Sequence, residues 1–123
     1  MTIIRQLLMV ALGGALGSVA RYGLTLLTSA LAVRPEWGTL AANVCGSFLI
    51  GLACPGWRSE YQLFLTVGLC GGFTTFSTFS SQALRLLQAG QWLGGGLYLL
   101  GSVALSLAMV ALGWYCRQRI WGA

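Results

Sequence analysis

The chain of 123 residues has the length of one domain, and only 7% of its residues are charged while 57% are hydrophobic. Soluble domains carry roughly 25% charged residues, so a water-soluble fold is excluded, as the mean hydropathy of +0.79 also requires. The net charge of +5 comes from arginines against Glu36 and Glu60, without lysine, aspartate or histidine, which removes most general bases and proton relays. The arginines are dispersed and lie mostly at the ends of apolar runs, where they suit lipid headgroups rather than a nucleic-acid face. The chain reads as an all-α integral membrane protein.

Ile3 to about Leu31 is the first apolar run, broken only by Arg5, Gln6 and Arg21. One early arginine, an apolar stretch and Ser18-Val19-Ala20 are reminiscent of a secretory signal, but three further spans follow and an uncleaved helix is simpler. Gly13 and Gly17 form a GxxxG pair that lets two helices approach closely. Arg34-Pro35-Glu36-Trp37-Gly38 reads as a turn at the membrane edge. The second span runs from about Gly38 to Cys54, with Thr39, Asn43 and Ser47 four residues apart along one side. A mid-membrane asparagine is a functional candidate, or else a plain helix-to-helix hydrogen-bonding group; the sequence leaves both open. Cys54-Pro55-Gly56-Trp57-Arg58-Ser59-Glu60 reads as the second turn.

The third span, about Tyr61 to Leu87, contains GLCGGFTTFSTFSS at Gly68–Ser81. Gly71 and Gly72 each weaken a helix by roughly 1 kcal/mol relative to alanine. Thr74, Thr75, Ser77, Thr78, Ser80 and Ser81 then crowd around Phe76 and Phe79. Irregular, hydroxyl-rich backbone survives in a bilayer only where protein buries it or water reaches it, so a broken third helix is expected, and such breaks build ion sites. Gln88-Ala89-Gly90-Gln91-Trp92 is a third turn. The fourth span, about Leu93 to Tyr115, carries Tyr98, Ser102 and Ser106 at intervals of four and is closed by Arg117 and Arg119. Cys45, Cys54, Cys70 and Cys116 show no CxxC spacing and read as buried apolar side chains, with no disulfide or metal site.

Four spans put both termini on one side, with Arg5, Arg58, Arg117 and Arg119, against Arg34, Arg85 and, counted with them, Arg21 on the other. That is almost no bias under the positive-inside rule, so insertion in both orientations and antiparallel self-pairing are expected. Three helices supply neutral polar groups, mostly donors. Carboxylate rings would favour cations, whereas hydroxyl and amide donors with arginines at the mouths favour an anion. Phe76 and Phe79, at i and i+3, share a helix face, and an aromatic edge is electropositive.

GLCGGFTTFSTFS, with GGALGSVARY at Gly13–Tyr22 and GTLAANVCGSFLIG at Gly38–Gly51, resembles the Fluc/CrcB family of fluoride channels across nearly the whole chain. The resemblance implies an antiparallel, dual-topology homodimer of four-helix subunits with two fluoride pathways, exporting fluoride across the cell (inner) membrane to relieve its toxicity. By position, it implies a fluoride pore of Asn43, Phe76, Ser77, Thr78, Phe79, Tyr98, Ser102 and Ser106. It implies a wet vestibule at Arg21, and Gly71 and Thr74 as break positions whose carbonyls, from both subunits, hold a structural sodium ion. The short second turn departs from the family's loops. The competing class is a small multidrug-resistance-type exporter, which needs a membrane-embedded carboxylate to exchange protons; Glu36 and Glu60 are both expected in turns.

Overall fold

The computed structural model describes residues 2–53 and 59–121, and most of the expected second turn, Cys54 to Arg58, lies outside them. Helix α1 (Ile3–Ala30) is N-capped by Thr2, whose side chain accepts from the Arg5 N–H, satisfying one of the donors a helix start leaves open. It ends where Ala32 adopts φ 56°, with the Val33 N–H closing back on the Thr28 carbonyl. Helix α2 (Pro35–Ala53) begins on proline, whose missing N–H costs nothing at the first helical position. It therefore starts three residues before the expected Gly38.

The third span is composite. α3 (Glu60–Leu63) is capped by Ser59 and passes into a π-helical run, Phe64–Cys70, then α4 (Gly71–Phe73). Thr66 and Thr74 each donate a hydroxyl to the carbonyl four residues back, Gln62 at 2.7 Å and Cys70 at 2.9 Å. Such back-bonding competes with the helical ladder and bends it. The chain is extended at Thr74 (φ −81°, ψ 156°) and resumes as α5 (Ser77–Gln88). Gly71 and Gly72 are thus not the break. They are helical, and the interruption falls at residues 74–76.

Helix α5 closes through Gly90 at φ 78°, with the Gln91 N–H on the Leu86 carbonyl, the left-handed terminator that glycine makes cheap. Helix α6 (Trp92–Trp121) runs six residues beyond the expected Tyr115. Arg117 lies over Trp121 and Arg119 over Tyr115, at 5.9 and 5.2 Å from the ring centroids, and the helix continues through both arginines rather than closing at them. Glu36 and Glu60 also lie in the first turns of α2 and α3 rather than in turns, where the helix dipole favours an acid.

Ile3–Ala30, Glu60–Gln88 and Trp92–Trp121 are each long and apolar enough to cross a membrane, and their outer faces are exposed Leu, Val, Ile and Trp. The chain is an all-α, multi-pass membrane protein. Helix α2, 19 residues long, is diluted by Glu36, Thr39, Asn43 and Ser47. The helices pack mainly as two pairs, α1 with the third span and α2 with α6.

Glycine seams explain both pairs. A methyl placed on Gly13 would meet the backbone of Phe64 and Leu69, and one on Gly17 the backbone of Leu69 and Phe73; Gly68 and Gly72 abut Gly13 and Gly14 in return. In the second pair, Gly51 lies against Val110 and Gly113, and Gly113 against Phe48 and Gly51. Lipid gives helices no hydrophobic reason to associate, so close backbone contact has to supply the attraction. At one end an Arg5–Glu60 ion pair (3.0 Å) ties α1 to α3, and Arg117 donates to the Leu52 carbonyl (2.8 Å) at the end of α2.

Replacing Gly17 or Gly51 with alanine should cost about 1–3 kcal/mol by overpacking a backbone that cannot give way. Gly23→Ala, where no atom lies within 4 Å of the new methyl, should leave thermal unfolding in detergent unchanged or slightly raised.

Candidate functional site

The break is held by one side chain. The Asn43 carboxamide, on α2, donates from Nδ2 to the Thr75 carbonyl at 3.0 Å and accepts the Thr75 N–H on Oδ1 at 2.7 Å. Both polar groups of an extended residue are thereby paired without any helix. Helix α5 then starts with a local cap, the Thr78 N–H donating to the Thr75 hydroxyl at 3.2 Å.

This arrangement has a consequence for two carbonyls. In an unbroken helix the Thr75 N–H would serve the Gly71 oxygen, and the Thr78 N–H the Thr74 oxygen. Both donors are diverted, to Asn43 and to the Thr75 hydroxyl respectively, and among the described residues neither carbonyl has a replacement. The Gly72 carbonyl, by contrast, accepts from Arg21 Nε at 3.2 Å. Arg21 is therefore half-buried beside α4, and is not a charge at the far membrane face.

Around the break lies a groove of about 400 Å³, bounded by α2, the break and α6. Asn43, Gly71, Thr74, Phe76, Phe79, Ser102 and Ser106 of the expected residues line it, together with Gly46, Ser47 and Thr75. Thr78 and Ser77 are not among its lining residues, Ser77 being exposed. Tyr98 lines a second groove of about 420 Å³ toward the Arg34–Glu36 end, and Ser102 borders both. The two phenylalanines differ in setting. Phe79 is 4% exposed and Phe76 is 76% exposed, their ring centroids 5.6 Å apart and tilted by 59°. Phe79 also meets Tyr98 edge-on at 5.1 Å.

Ser102 is 5% exposed, and its hydroxyl is buried without a hydrogen-bond partner. A buried hydroxyl left unpaired costs roughly 1–3 kcal/mol, so its place on the groove wall calls for something that accepts its proton. The Tyr98 hydroxyl is occupied, donating to Gln82 Oε1 at 2.7 Å. Two residues lay outside the sequence reading. Gln82, a polar residue near the end of the third span, is 8% exposed; Thr75 stood undistinguished among its hydroxyl neighbours. Only an i+16 contact and an i+32 contact reveal them. Glu36 borders the second groove near Arg34, 3.7 Å away, and no acid lines the first.

Residues 8–114 match the family model described as CrcB-like protein, Camphor Resistance (CrcB). The chain belongs to the CrcB-like family. Curated relatives agree along most of its length. A protein of Paramagnetospirillum magneticum named fluoride-specific ion channel FluC is 47% identical over 114 residues, covering 85% of this chain and 89% of that one. Proteins of the same name from Thermus thermophilus and Rhizobium meliloti are 48% and 47% identical, covering 87% and 88% of this chain and 90% and 92% of theirs. The family match spans every element around the break, from α1 into α6, so the clamp, the groove and the glycine seams all lie within the CrcB-like region.

Asn43→Leu should destabilise the CrcB-like fold by about 2–5 kcal/mol, since it strands both the N–H and the carbonyl of Thr75 away from water. Ser102→Ala should leave unfolding unchanged or stabilise, because that hydroxyl makes no bond to lose. Thermal unfolding in detergent, followed by circular dichroism, checks both.

Proposed function

We propose that the chain is a fluoride-selective ion channel rather than an enzyme, exporting fluoride across the cell membrane and so relieving fluoride toxicity. The observation that carries this is the groove beside the break, which offers a small anion uncharged partners only. A buried, unpaired Ser102 hydroxyl stands on its α6 side, and the tilted rings of Phe76 and Phe79 stand on the side of the break. The name shared by the relatives supports the choice of fluoride.

Fluoride is compact and strongly hydrated, so water must be replaced in steps. The Asn43 carboxamide keeps one N–H beyond the one given to Thr75. Ser102 and Ser106 follow four residues apart on α6. Aromatic edges, positive by their quadrupole, attract the ion without trapping it, and a channel must release what it binds. Ser77, Thr78 and Tyr98 flank this track. Arg21, held on the Gly72 carbonyl, adds positive potential near the break without an ion pair to neutralise it.

Four crossings, with α2 as the fourth, and an antiparallel homodimer of two oppositely inserted copies complete the reading. Exposed Phe76 supports it, since a large aromatic beside a polar groove has no lipid-facing purpose. So does the charge balance, with Arg5, Arg117 and Arg119 toward one end and Arg34 and Arg85 toward the other. The donor set also fits sodium. The Gly71 and Thr74 carbonyls, robbed of their helical donors, are hard oxygen ligands of the kind such a cation takes, and a two-fold axis would double two to four. Bound there, sodium would supply fixed positive charge that joins the subunits.

Proteoliposomes should dissipate a fluoride gradient and leave a chloride gradient nearly intact; equal chloride flux would overturn the selectivity. Phe79→Ile and Ser102→Ala should cut fluoride flux at least about tenfold, the loss of roughly 1.4 kcal/mol per step, with the oligomer retained. Replacing sodium by N-methylglucamine should lower the melting temperature of the purified protein, and an unchanged melting temperature would remove the ion from the scheme. Cysteine tags at either terminus should be labelled from both membrane faces; one-sided labelling would exclude dual insertion.

A further inference from the structure

A third groove, of about 350 Å³, lies between the ends of α2 and α6 and the first half of the third span. Its walls are mainly Leu49, Leu52, Leu65 and Leu69 with Ala53 and Cys70, and its polar members are Gln62 and Arg117. One guanidinium nitrogen of Arg117 donates to the Leu52 carbonyl at 2.8 Å, while its Nε–H is buried and has no partner. A buried cationic donor left unpaired is costly, and more so than a neutral one. Nε has almost no accessible surface and is closed off from the slot, so the positive charge offered to a ligand there is that of the rest of the guanidinium.

Depth identifies the ligand. The break divides the span Glu60–Gln88 near its middle, and Ser106 of α6 borders the groove beside it. Arg117 is eleven residues further along α6, about 16 Å at helical rise, or half of a roughly 30 Å hydrocarbon layer. That is headgroup level, and Trp121 and Tyr115 in the same final turns match the aromatic belt. Leu49 and Leu65, at the slot's edge, are 43% and 42% exposed.

We infer that this groove is a binding site for an anionic phospholipid, its phosphate on Arg117 and one acyl chain along Leu49, Leu65 and Leu69. The lipid's negative charge complements the guanidinium, and its chain fills the slot. The slot meets the groove beside the break at Cys70, which lines both, and its ligand is not the proposed ion.

Native mass spectrometry of the full-length protein, with phosphatidylglycerol and phosphatidylcholine of matched chains, tests this. Phosphatidylglycerol should be retained roughly fivefold better, the size of one arginine–anionic lipid attraction. Arg117→Gln should abolish the preference and Arg117→Lys should keep much of it. Leu65→Trp, which fills the slot without changing charge, should reduce retention of both lipids. Circular dichroism confirms that each variant is folded, and a misfolded Arg117→Gln leaves the Leu65→Trp arm to decide. Equal retention of the two lipids, a preference that survives Arg117→Gln, or retention of neither because a second copy covers the slot would each overturn the inference.

Discussion

The structure turns on one carboxamide set against one backbone residue. Asn43 donates to the Thr75 carbonyl and accepts from its N–H, so an extended stretch lies in the middle of a membrane span with its polar groups paired. Left alone there, each group would cost several kcal/mol, because hydrocarbon offers no hydrogen bonds. A single asparagine can do this because its side chain carries a donor and an acceptor side by side, the same pair a neighbouring strand would present. The clamp also redistributes bonding, for it takes from Gly71 the donor an unbroken helix would have given.

A clamp of this kind needs α2 at a fixed distance and rotation. The glycine seams provide that. Gly51 against Gly113 locks α2 to α6, and Gly13 and Gly17 lock α1 to the third span. These contacts are short-ranged and tolerate no added methyl, so they fix register far better than leucine faces, which slide. Arg21 then reaches the Gly72 carbonyl because Gly72 itself lies against Gly14. Each polar contact near the break is thus placed by an apolar one a turn or two away.

The groove that results is chemically mild. It contains no acid, and its polar members are hydroxyls, an amide and carbonyls. A carboxylate there would hold cations or protons strongly, whereas neutral donors attract an anion weakly and in series. Phe79 is fixed between Phe76 and Tyr98, while Phe76 stands open. The same side of the groove is therefore rigid at Phe79 and unfinished at Phe76, as expected of a surface that a second copy completes in the proposed dimer.

Residue type and spacing alone determined the membrane class, the positions of the long helices and the fact of an interrupted third span. Burial energy in lipid depends on composition, and a glycine- and hydroxyl-rich core cannot be concealed in it. The GxxxG pair in α1 was legible for the same reason, although its partners Gly68 and Gly72 were not, since any small residue could have faced it. Tertiary structure decided where the interruption falls. Gly71 and Gly72 carry the local weakness, yet the chain opens at residues 74–76, because Asn43 reaches Thr75 from 32 positions away. It likewise decided that Arg21 lies inside rather than at a face, that Gln82 is buried under Tyr98, and that Ser102 is left without a partner. Hydrogen bonds are directional and short, so which of several equivalent hydroxyls, amides and carbonyls meet is set only when the helices have docked.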